Sequence, residues 1–258
     1  TVCFTAPTAW RDMAAKAGGF DLSSLRRCVS AGEALPAPVF EAWRAATGLK
    51  LMDGIGATEM LHIFIGAPEE AVRPGSTGIP VPGFRAKVLG PDGKEAPRGT
   101  PGRLAVQGPT GCRYLADSRQ ADYVQGGWNI TGDTYVQDAD GYFWYQARSD
   151  DMIVSAGYNI AGPEVEAALM THPAVLECGV VGAPDPERGQ VVKAYVVPKA
   201  DAMADDALVR SLQEHVKAAI APYKYPRAVA FVQALPRTQT GKLRRAALRQ
   251  WAAAEAKL

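Results

Sequence analysis

The chain has 258 residues, of which 47% are hydrophobic, and its 28 lysines and arginines nearly balance its 27 acidic residues, for a formal net charge of +1. This apolar content is enough to bury a substantial core, so the composition predicts an ordinary soluble globular protein. The balanced charge gives no electrostatic reason to expect nucleic acid or an anionic membrane as the main partner, and no apolar run is long enough to predict a membrane span.

The four cysteines, Cys3, Cys28, Cys112 and Cys178, lack the spacing of a metal site or of a disulfide framework. We therefore expect reduced, buried thiols and a cytoplasmic location. No basic-then-apolar leader opens the chain, which argues against secretion. The sequence starts with Thr1 and not with methionine, as a fragment of a longer protein would.

The first fifty or so residues alternate short apolar strands with amphipathic helices. VCFTAP and LRRCVSA are strand-like, whereas PTAWRDMAAK and APVFEAWRAATG have helical spacing, with Gly48 as an expected helix stop. This alternation is typical of an α/β layer with a largely parallel sheet. We place that layer at about residues 1–82.

Between about residues 83 and 147 the pattern changes to short strands separated by turns. FRAKVLGPDGKE contains a Pro-Asp-Gly turn, and GRLAVQG, GWNITGD and DADGYFWYQA follow it. Short strands at this spacing predict a small β-rich subdomain, for which a barrel is one form.

Charged residues interrupt two apolar strands in ARSDDMIVSAG, so residues 148–151 are predicted to be a linker. After it, PEVEAALMTH and DDALVRSLQEHVKAAIAP have helical periodicity, and KLRRAALRQWAAAEAKL predicts a closing helix. AVLECGVVGA, VVKAYVVPKA and AVAFVQAL are typical of buried strands. This order predicts a small α+β domain over residues 152–258.

Two stretches of the first part place polar side chains beside glycines, where a ligand can approach the backbone. DGIGATE ends in Thr58 and Glu59, a hydroxyl and a carboxylate suited to Mg²⁺ on a phosphate. In NITGDTY, the Asp133 carboxylate can accept hydrogen bonds from a ribose diol. Each stretch taken alone is more often an ordinary turn.

Two later stretches have the same character. Arg148 in RSDDMIVSAGYNI offers guanidinium donors to phosphate or ribose oxygens, and SAGYN presents small residues to a passing cofactor arm. In RTQTGKLRR, Gly241 gives a flexible turn that can project the Lys242 ammonium toward phosphate or carboxylate oxygens. The ordinary alternatives are a solvated linker and a surface lysine. The turn is not a Walker A loop, because no glycine stands five residues before Gly241.

Six stretches in order resemble the core motifs of adenylate-forming enzymes, the family of acyl-CoA synthetases, luciferases and peptide-synthetase adenylation domains. They are SAGEALP, DGIGATE, GRLAVQGP, NITGDTY, ARSDDMIVSAGYNI and LPRTQTGKLRR, within about residues 26–245. The resemblance implies a partial fold of that family, with an α/β layer, a β-rich subdomain and a small α+β C-terminal domain. It also implies ATP, Mg²⁺ and CoA: a carboxylate attacks the α-phosphate of Mg-ATP, and a thiol then attacks the acyl adenylate.

The resemblance assigns nucleotide-binding and catalytic residues one by one. Glu59 resembles the magnesium-associated acid, and Thr58 lies where the family contacts phosphate. Asp133 resembles the ribose-binding aspartate, and Arg148 the arginine beside it. Lys242 matches the lysine that bridges carboxylate and phosphate during adenylate formation. The adenine pocket and the adjoining acyl groove would be lined by Gly32, Glu33, Asp53, Gly54, Ile55, Gly56 and Ala57.

The resemblance also implies a mobile small domain. Asp150 matches a hinge about which residues 152–258 rotate between the two half-reactions, and residues 1–147 match the C-terminal part of the large AMP-binding domain. Arg188 has the charge to pair with a CoA phosphate. The positions that match CoA contacts are Ala156, Gly157, Tyr158, Asn159 and Arg188.

GIGATEMLHIF is more similar to benzoate-type and aminobenzoate-type CoA ligases than to the tyrosine-glycine form of this motif. We therefore predict an aromatic acid, with Gly56 and His62 in the acyl pocket. A packed structural histidine is the alternative for His62. A medium-chain fatty acid is the second candidate, because SAGYNIAGPEVE also resembles medium-chain synthetases. Peptide-synthetase adenylation is weaker, since no carrier domain follows Leu258.

The family's glycine- and Ser/Thr-rich phosphate loop, which stands upstream of the SAGEALP position, is missing from this sequence. We therefore expect the C-terminal half of a longer enzyme, inactive in isolation. A non-catalytic nucleotide- or CoA-binding fragment is the alternative from another class. The predicted partners are a small carboxylic acid, ATP and CoA, with no nucleic acid, no membrane and a possible homodimer.

Overall fold

The computed structural model of the protein describes residues 1–239 and 241–256, which divide between a first unit, Thr1–Ser149, and a second unit, Asp150–Leu258. The first unit opens with a five-stranded sheet in the order β1-β2-β3-β4-β5. Its elements are β1 (Val2–Thr5), α1 (Pro7–Ala14), β2 (Arg27–Ala31), α2 (Ala37–Thr47), β3 (Leu51–Gly56), β4 (Ile63–Gly66) and β5 (Ile79–Pro80). The first three strands are parallel and the last two pair antiparallel. The predicted α/β alternation is confirmed, and the antiparallel edge is an addition to it.

Two tryptophans hold the helices of this layer together. Trp10 of α1 and Trp43 of α2 are fully buried, and their rings pack edge to face with centroids 4.7 Å apart. Trp10 Nε1 also donates to the carbonyl oxygen of Val29 on β2, 3.3 Å away. α2 ends at Gly48, whose φ of 73° is left-handed, as the sequence predicts for a helix stop.

A second five-stranded sheet completes the first unit, with the path β10-β9-β7-β6 and β8 paired to β9. Its elements are β6 (Arg85–Leu89), β7 (Gly102–Gln107), α3 (Arg119–Tyr123), β8 (Val124–Gln125), β9 (Trp128–Gln137) and β10 (Phe143–Arg148). Every pairing is antiparallel, which confirms the predicted β-rich character. The path is open for the described strands and does not form a barrel. Phe64 of β4 packs in one core cluster with Leu104 and Phe143, so the two sheets share apolar contacts.

The second unit is a third five-stranded sheet, in the order β12-β11-β14-β13 with β15 paired to β14. Its elements are β11 (Ile153–Ser155), β12 (Tyr158–Ile160), α4 (Gly162–Met170), β13 (Val175–Asp185), β14 (Gly189–Pro198), α5 (Asp206–Ala219), β15 (Ala228–Phe231) and α6 (Arg245–Glu255). Val180 on β13 packs with α4 and α5, whereas its neighbour Val181 packs with α6. Because side chains alternate along a strand, the helices cover both faces of this sheet. The predicted α+β character is confirmed.

Helix α5 offers a test of local stability in the second unit. Asp205 is its N-cap residue, and its side chain accepts a hydrogen bond from the Leu208 amide at 2.9 Å. We expect Asp205→Ala to lower the free energy of unfolding by about 1 kcal/mol, as loss of an N-cap usually does. Urea unfolding followed by circular dichroism measures this change.

Asp206→Ala is the matched control, because Asp206 lies in the first turn of the same helix. The loss of a favourable dipole contact is offset there by the better helix propensity of alanine, so this variant should be close to neutral. Equal losses in the two variants would contradict the capping role of Asp205.

Candidate functional site

The carboxyl ends of β2 and β3 lie side by side in the first sheet. Their parallel register pairs Ala31 with Gly54, so Gly32 and Glu33, which follow β2, lie beside the end of β3. Gly32 has a φ of 95°, which turns the chain away from the sheet there. Ligands in α/β folds commonly bind at this edge of a parallel sheet. The structure therefore brings two predicted groups together: Gly32 and Glu33 after β2, and residues 53–57 at the end of β3.

The two glycines of β3 have a packing reason of their own. A Cβ atom on Gly54 would lie 2.8 Å from Cδ1 of Ile63, and one on Gly56 would lie 2.7 Å from the carbonyl oxygen of His62. β4 therefore approaches β3 so closely that a side chain has no space at either position. These glycines permit the close approach of a neighbouring strand. Their contacts with a ligand stay a prediction.

Asp53 carries a buried polar atom at this edge. Its Oδ1 has no hydrogen-bond partner among the described residues, and the same holds for Oγ of Ser30, its register partner on β2. Burial raises the pKa of Asp53 to about 7, although the backbone amides of Gly54 and Leu35 act to lower it. The pKa of this carboxyl group therefore lies near neutral pH, and its buried Oδ1 is a polar atom that no described residue satisfies.

Thr58 and Glu59 lie in the short 3₁₀ turn Thr58–Met60, directly after β3. Thr58 is exposed and Glu59 is half-buried. The Tyr114 hydroxyl donates to Glu59 Oε1 at 2.7 Å. This hydrogen bond raises the pKa of Tyr114 to about 12, so the hydroxyl remains a donor at neutral pH.

Tyr123 is a partly buried tyrosine whose pKa is affected by two of the predicted carboxylates. The ring of Tyr123 packs edge to face against Tyr114 at 5.7 Å, and its hydroxyl is buried without a partner among the described residues. Burial raises the pKa of Tyr123, and the charges of Glu59 and Asp133 raise it further. Glu59 and Asp133 therefore act electrostatically on one hydroxyl group.

Tyr135 is a second tyrosine whose pKa is affected by Asp133. It is buried, and its hydroxyl shares a hydrogen bond with Oγ1 of Thr77 at 3.2 Å. Burial raises its pKa, and Asp133 and Asp53 both add to the increase. After burial, the charges of Asp53, Glu59 and Asp133 thus contribute to the raised pKa of Tyr123 or of Tyr135.

Asp133 and Arg148 are register partners on β9 and β10. Their closest atoms, Oδ1 and Nη1, are 3.8 Å apart, and the side chains are 15% and 54% exposed. Gly132 has a φ of 77°, and a Cβ there would lie 3.2 Å from Nη2 of Arg148. An ion pair this exposed adds little stability, so a ligand can compete for the guanidinium.

The SAGYN stretch forms the tip of the hairpin between β11 and β12. Ala156 and Gly157 have φ values of 48° and 83°, as the two central residues of a type I′ turn require. The Ala156 amide donates to the carbonyl oxygen of Arg188 at 3.0 Å, which places this tip against the turn between β13 and β14. The five residues predicted to contact CoA are therefore neighbours, and all are exposed: Ala156, Gly157, Tyr158, Asn159 and Arg188.

Three other predicted residues lie at the surface. Lys242 is exposed in a turn of the second unit, in which Thr240 lies outside the described residues, and Asp150 is exposed in a turn where that unit begins. His62 is also exposed, with its ring 6.1 Å from that of Phe4. In the described chain the His62 side chain is not packed in a core, and its place in an acyl pocket stays a prediction.

Two family profiles match the chain. One, described as AMP-binding enzyme, matches residues 1–114, and the other, described as AMP-binding enzyme C-terminal domain, matches residues 164–242. The chain belongs to the adenylate-forming family of AMP-binding enzymes.

Curated relatives of this adenylate-forming chain include the mitochondrial acyl-coenzyme A synthetase ACSM3 of Mus musculus. It is 44% identical over an alignment of 260 residues, gaps included, which covers 97% of this chain and 45% of that protein. The uncharacterized acyl–CoA ligase YtcI of Bacillus subtilis (strain 168) is 42% identical over 250 residues, covering 95% of this chain and 47% of that protein. The chain thus spans about half the length of the curated relatives it matches.

Solved structures confirm the predicted adenylate-forming fold. The anthranilate CoA ligase AuaEII in complex with anthranoyl-AMP superposes with a TM-score of 0.94 at 42% identity, covering 100% of this chain and 51% of that one. A benzoate CoA ligase from Burkholderia xenovorans LB400 gives a TM-score of 0.88 at 38% identity, covering 96% of this chain and 51% of that one.

The donor groups of this adenylate-forming chain suit a metal that arrives with a nucleotide better than a resident metal. Among the described residues, no group of three or more His, Cys, Asp and Glu side chains is placed to hold an ion. Glu59 offers one carboxylate, next to the Thr58 hydroxyl. Mg²⁺ is usually held by one or two carboxylates together with water and substrate phosphates. The residues present therefore fit Mg²⁺ on a phosphate.

Sequence reasoning missed the tyrosines of this site. Tyr114 is 55 positions from Glu59 and stands in GCRYLA, a stretch without periodicity or a glycine-acid pair. Tyr223 was missed as well, although its ring lies 4.6 Å from that of Tyr158 at the predicted CoA contact. No signal in the sequence pointed to Tyr223, because the exposure of its ring is visible only in the structure.

The pKa of Asp53 predicts how stability depends on pH. Its carboxyl binds a proton up to a pH of about 7 in the folded chain, against 3.8 for an ordinary aspartate. The folded state therefore holds more protons between these values, and this group lowers the free energy of unfolding as pH rises through that window. Urea unfolding at about pH 5 and about pH 8 measures the decrease.

Asp53→Asn should remove this part of the pH dependence, because the amide does not titrate. The exposed Glu70 provides a control in Glu70→Gln, which should keep the decrease. A decrease of unchanged size in Asp53→Asn would show that other groups cause it.

The two neighbouring tyrosines offer a matched pair of hydroxyl deletions. Tyr114→Phe removes a hydrogen bond to a carboxylate and leaves Glu59 without that donor, so we expect a lower thermal midpoint. Tyr123→Phe removes a buried hydroxyl without a partner, so the change should be neutral or stabilising. Differential scanning calorimetry of both variants checks the opposite signs, and a loss in Tyr123→Phe equal to that in Tyr114→Phe would refute the assignment.

Proposed function

We propose that this chain is part of an AMP-forming acid–thiol ligase that joins an aromatic carboxylate to CoA through an acyl adenylate. The observation that carries the proposal is the likeness over the whole chain to an anthranilate CoA ligase solved with anthranoyl-AMP. Besides burial, the charges of Glu59 and Asp133 raise the pKa of Tyr123, and those of Asp133 and Asp53 raise the pKa of Tyr135, which supports a polar site in the first unit.

In the adenylation step, a carboxylate oxygen of the acid attacks the α-phosphorus of ATP, and pyrophosphate leaves. Asp133 accepts hydrogen bonds from the ribose hydroxyls, and Arg148 donates to ribose or phosphate oxygens. Gly32, Glu33 and the β3 residues line the adenine pocket. Glu59 and Thr58 would hold a phosphate-bound Mg²⁺, which would supply neutralisation of phosphate charge.

Lys242 supplies the positive charge between the two reacting groups. Its ammonium donates to a carboxylate oxygen and to an α-phosphate oxygen, which holds them together and stabilises the negative charge of the transition state. Lys242 is exposed on a turn, so its ammonium is accessible to a ligand.

In the second step, the thiolate of CoA attacks the acyl carbonyl carbon and AMP leaves. The hairpin tip at Ala156 and Gly157 lies against the pantetheine arm, with Tyr158, Asn159 and Arg188 beside it. Arg188 pairs with a CoA phosphate. Asp150 is the hinge about which the second unit turns between the steps, since it begins that unit.

An aromatic acid is the favoured substrate, with Gly56 and His62 in its pocket. Two solved relatives, an anthranilate and a benzoate CoA ligase, support this choice. A medium-chain fatty acid is the second candidate, which the 44% identity to an acyl-coenzyme A synthetase keeps open.

The cytoplasmic location and the homodimer stay predictions, and one relative is a mitochondrial protein. In the part of the chain that the structure describes, no helix has the length and apolarity to cross a membrane.

The test is pyrophosphate exchange by the product of the full reading frame, with benzoate, 2-aminobenzoate and octanoate as acids. Lys242→Ala should slow adenylate formation about 100-fold, as loss of one electrostatic donor does, and should spare thioester formation from supplied acyl adenylate. Lys199→Ala, at an exposed lysine of the same unit, is the control and should change neither step.

Equal losses in both half-reactions would contradict the role of Lys242. Binding of AMP and CoA without any exchange would support the non-catalytic alternative. Faster exchange with octanoate than with the aromatic acids would favour the second substrate class.

A further inference from the structure

The turn that carries Lys242 is a small closed loop. An isolated antiparallel bridge joins Arg237 to Leu243, and the Thr238 amide donates to the carbonyl oxygen of Lys242 at 2.8 Å. In return, the Lys242 amide donates to Oγ1 of Thr238 at 3.0 Å. Gly241, with a φ of 84°, makes the tight bend immediately before the lysine.

Arg237 spans this loop with one planar group. Its Nη1 donates to the carbonyl oxygen of Gly241 at 2.8 Å, and its Nη2 forms an ion pair with Oε2 of Glu177 on β13. The two side chains are only 28% and 14% exposed. One guanidinium therefore ties the residue before Lys242 to a strand of the sheet.

The residue after Lys242 is anchored in another way. Leu243 packs against the core cluster that contains Val181 and Leu248. A Cβ on Gly179 would lie 3.2 Å from Cδ2 of Leu243, so the leucine lies close over β13. Lys242 thus stands between a backbone carbonyl held by Arg237 and a side chain held by packing, while its own side chain is exposed.

We propose that Arg237 is a positioning residue for Lys242: by holding the Gly241 carbonyl to Glu177, it sets the direction in which the ammonium projects. This inference rests on the proposed function of Lys242. A reactive group displaced by about 1 Å can lose about 100-fold in rate, so the precision of this short turn bears directly on adenylate formation.

The geometry requires an arginine. The two acceptors, a peptide carbonyl on the turn and a carboxylate on the strand, are reached by different nitrogens of one rigid fork. A lysine at this position would present a single ammonium on a flexible stem and would not hold both acceptors in a fixed relation. Arg237→Lys should therefore restore only part of the function that Arg237→Gln removes.

The experiment has two measurements. On the full reading-frame product, Arg237→Gln should slow adenylate formation about 10- to 100-fold and leave thioester formation from supplied acyl adenylate within about twofold. On the chain itself, hydrogen exchange at the amides of Thr238, Gly241 and Lys242 should accelerate about tenfold, because the turn loses one tether. A purely structural ion pair would change neither the ratio of half-reactions nor exchange confined to this turn.

Lys193→Gln is the matched control. Lys193 is buried and forms an ion pair with Glu255, joining β14 to α6, so its loss perturbs the same unit through other elements. It should lower the thermal midpoint without selective loss of adenylate formation and without faster exchange in the turn. If Arg237→Gln fails to fold, Glu177→Gln keeps an acceptor for Arg237 and should give a smaller loss in the same direction.

Lys242→Ala separates the two levels of the proposal. If Lys242→Ala abolishes adenylate formation and Arg237→Gln leaves it unchanged, the positioning role is wrong and the proposed function stands. If Lys242→Ala leaves adenylate formation unchanged, the proposed role of the lysine falls. Equal slowing of both half-reactions by Arg237→Gln, or unchanged exchange in the turn, would overturn the inference.

Discussion

The close approach of β4 to β3 is the contact on which the site of the first unit depends. Side chains at Gly54 and Gly56 would collide with Ile63 and with the backbone of His62, so the two strands meet only because both positions are glycine. The chain reverses between the antiparallel strands β3 and β4 through the short turn Thr58–Met60. Burial of Met60 fixes the position of this turn. Glu59, next to Met60, is consequently held where Tyr114 can reach it.

Around this turn, several ionisable groups are buried or partly buried. Burial raises the pKa values of Tyr123 and Tyr135 above those of ordinary tyrosines, which are already neutral at pH 7, and it brings the pKa of Asp53 to about 7. The neutral Tyr114 hydroxyl donates to the Glu59 carboxylate without adding charge. The first unit thus combines a carboxylate that accepts from a neutral hydroxyl with a carboxyl group whose pKa lies near 7.

The second unit follows a different design, with exposed groups on turns of a well-packed sheet. Helices on both faces bury β13 and β14, and the turns at Gly157 and Gly241 project from this scaffold with left-handed glycines. Functional side chains are often carried on loops that a rigid scaffold positions. The ion pair of Arg237 with Glu177 gives the Lys242 turn a tether that its own backbone bonds do not supply.

The sequence by itself determined the local elements and the family. Periodicity predicted most strands and the helices α1, α2, α4, α5 and α6, Gly48 predicted the end of α2, and the order of six motifs predicted the adenylate-forming fold. The tertiary structure alone decided which distant side chains meet: Tyr114 with Glu59 across 55 positions, and Arg237 with Glu177 across 60. It also decided the pKa of Asp53. Periodicity reports which face of an element is buried, whereas a long-range pair or a desolvated carboxyl depends on how separate elements pack, and no local pattern encodes that.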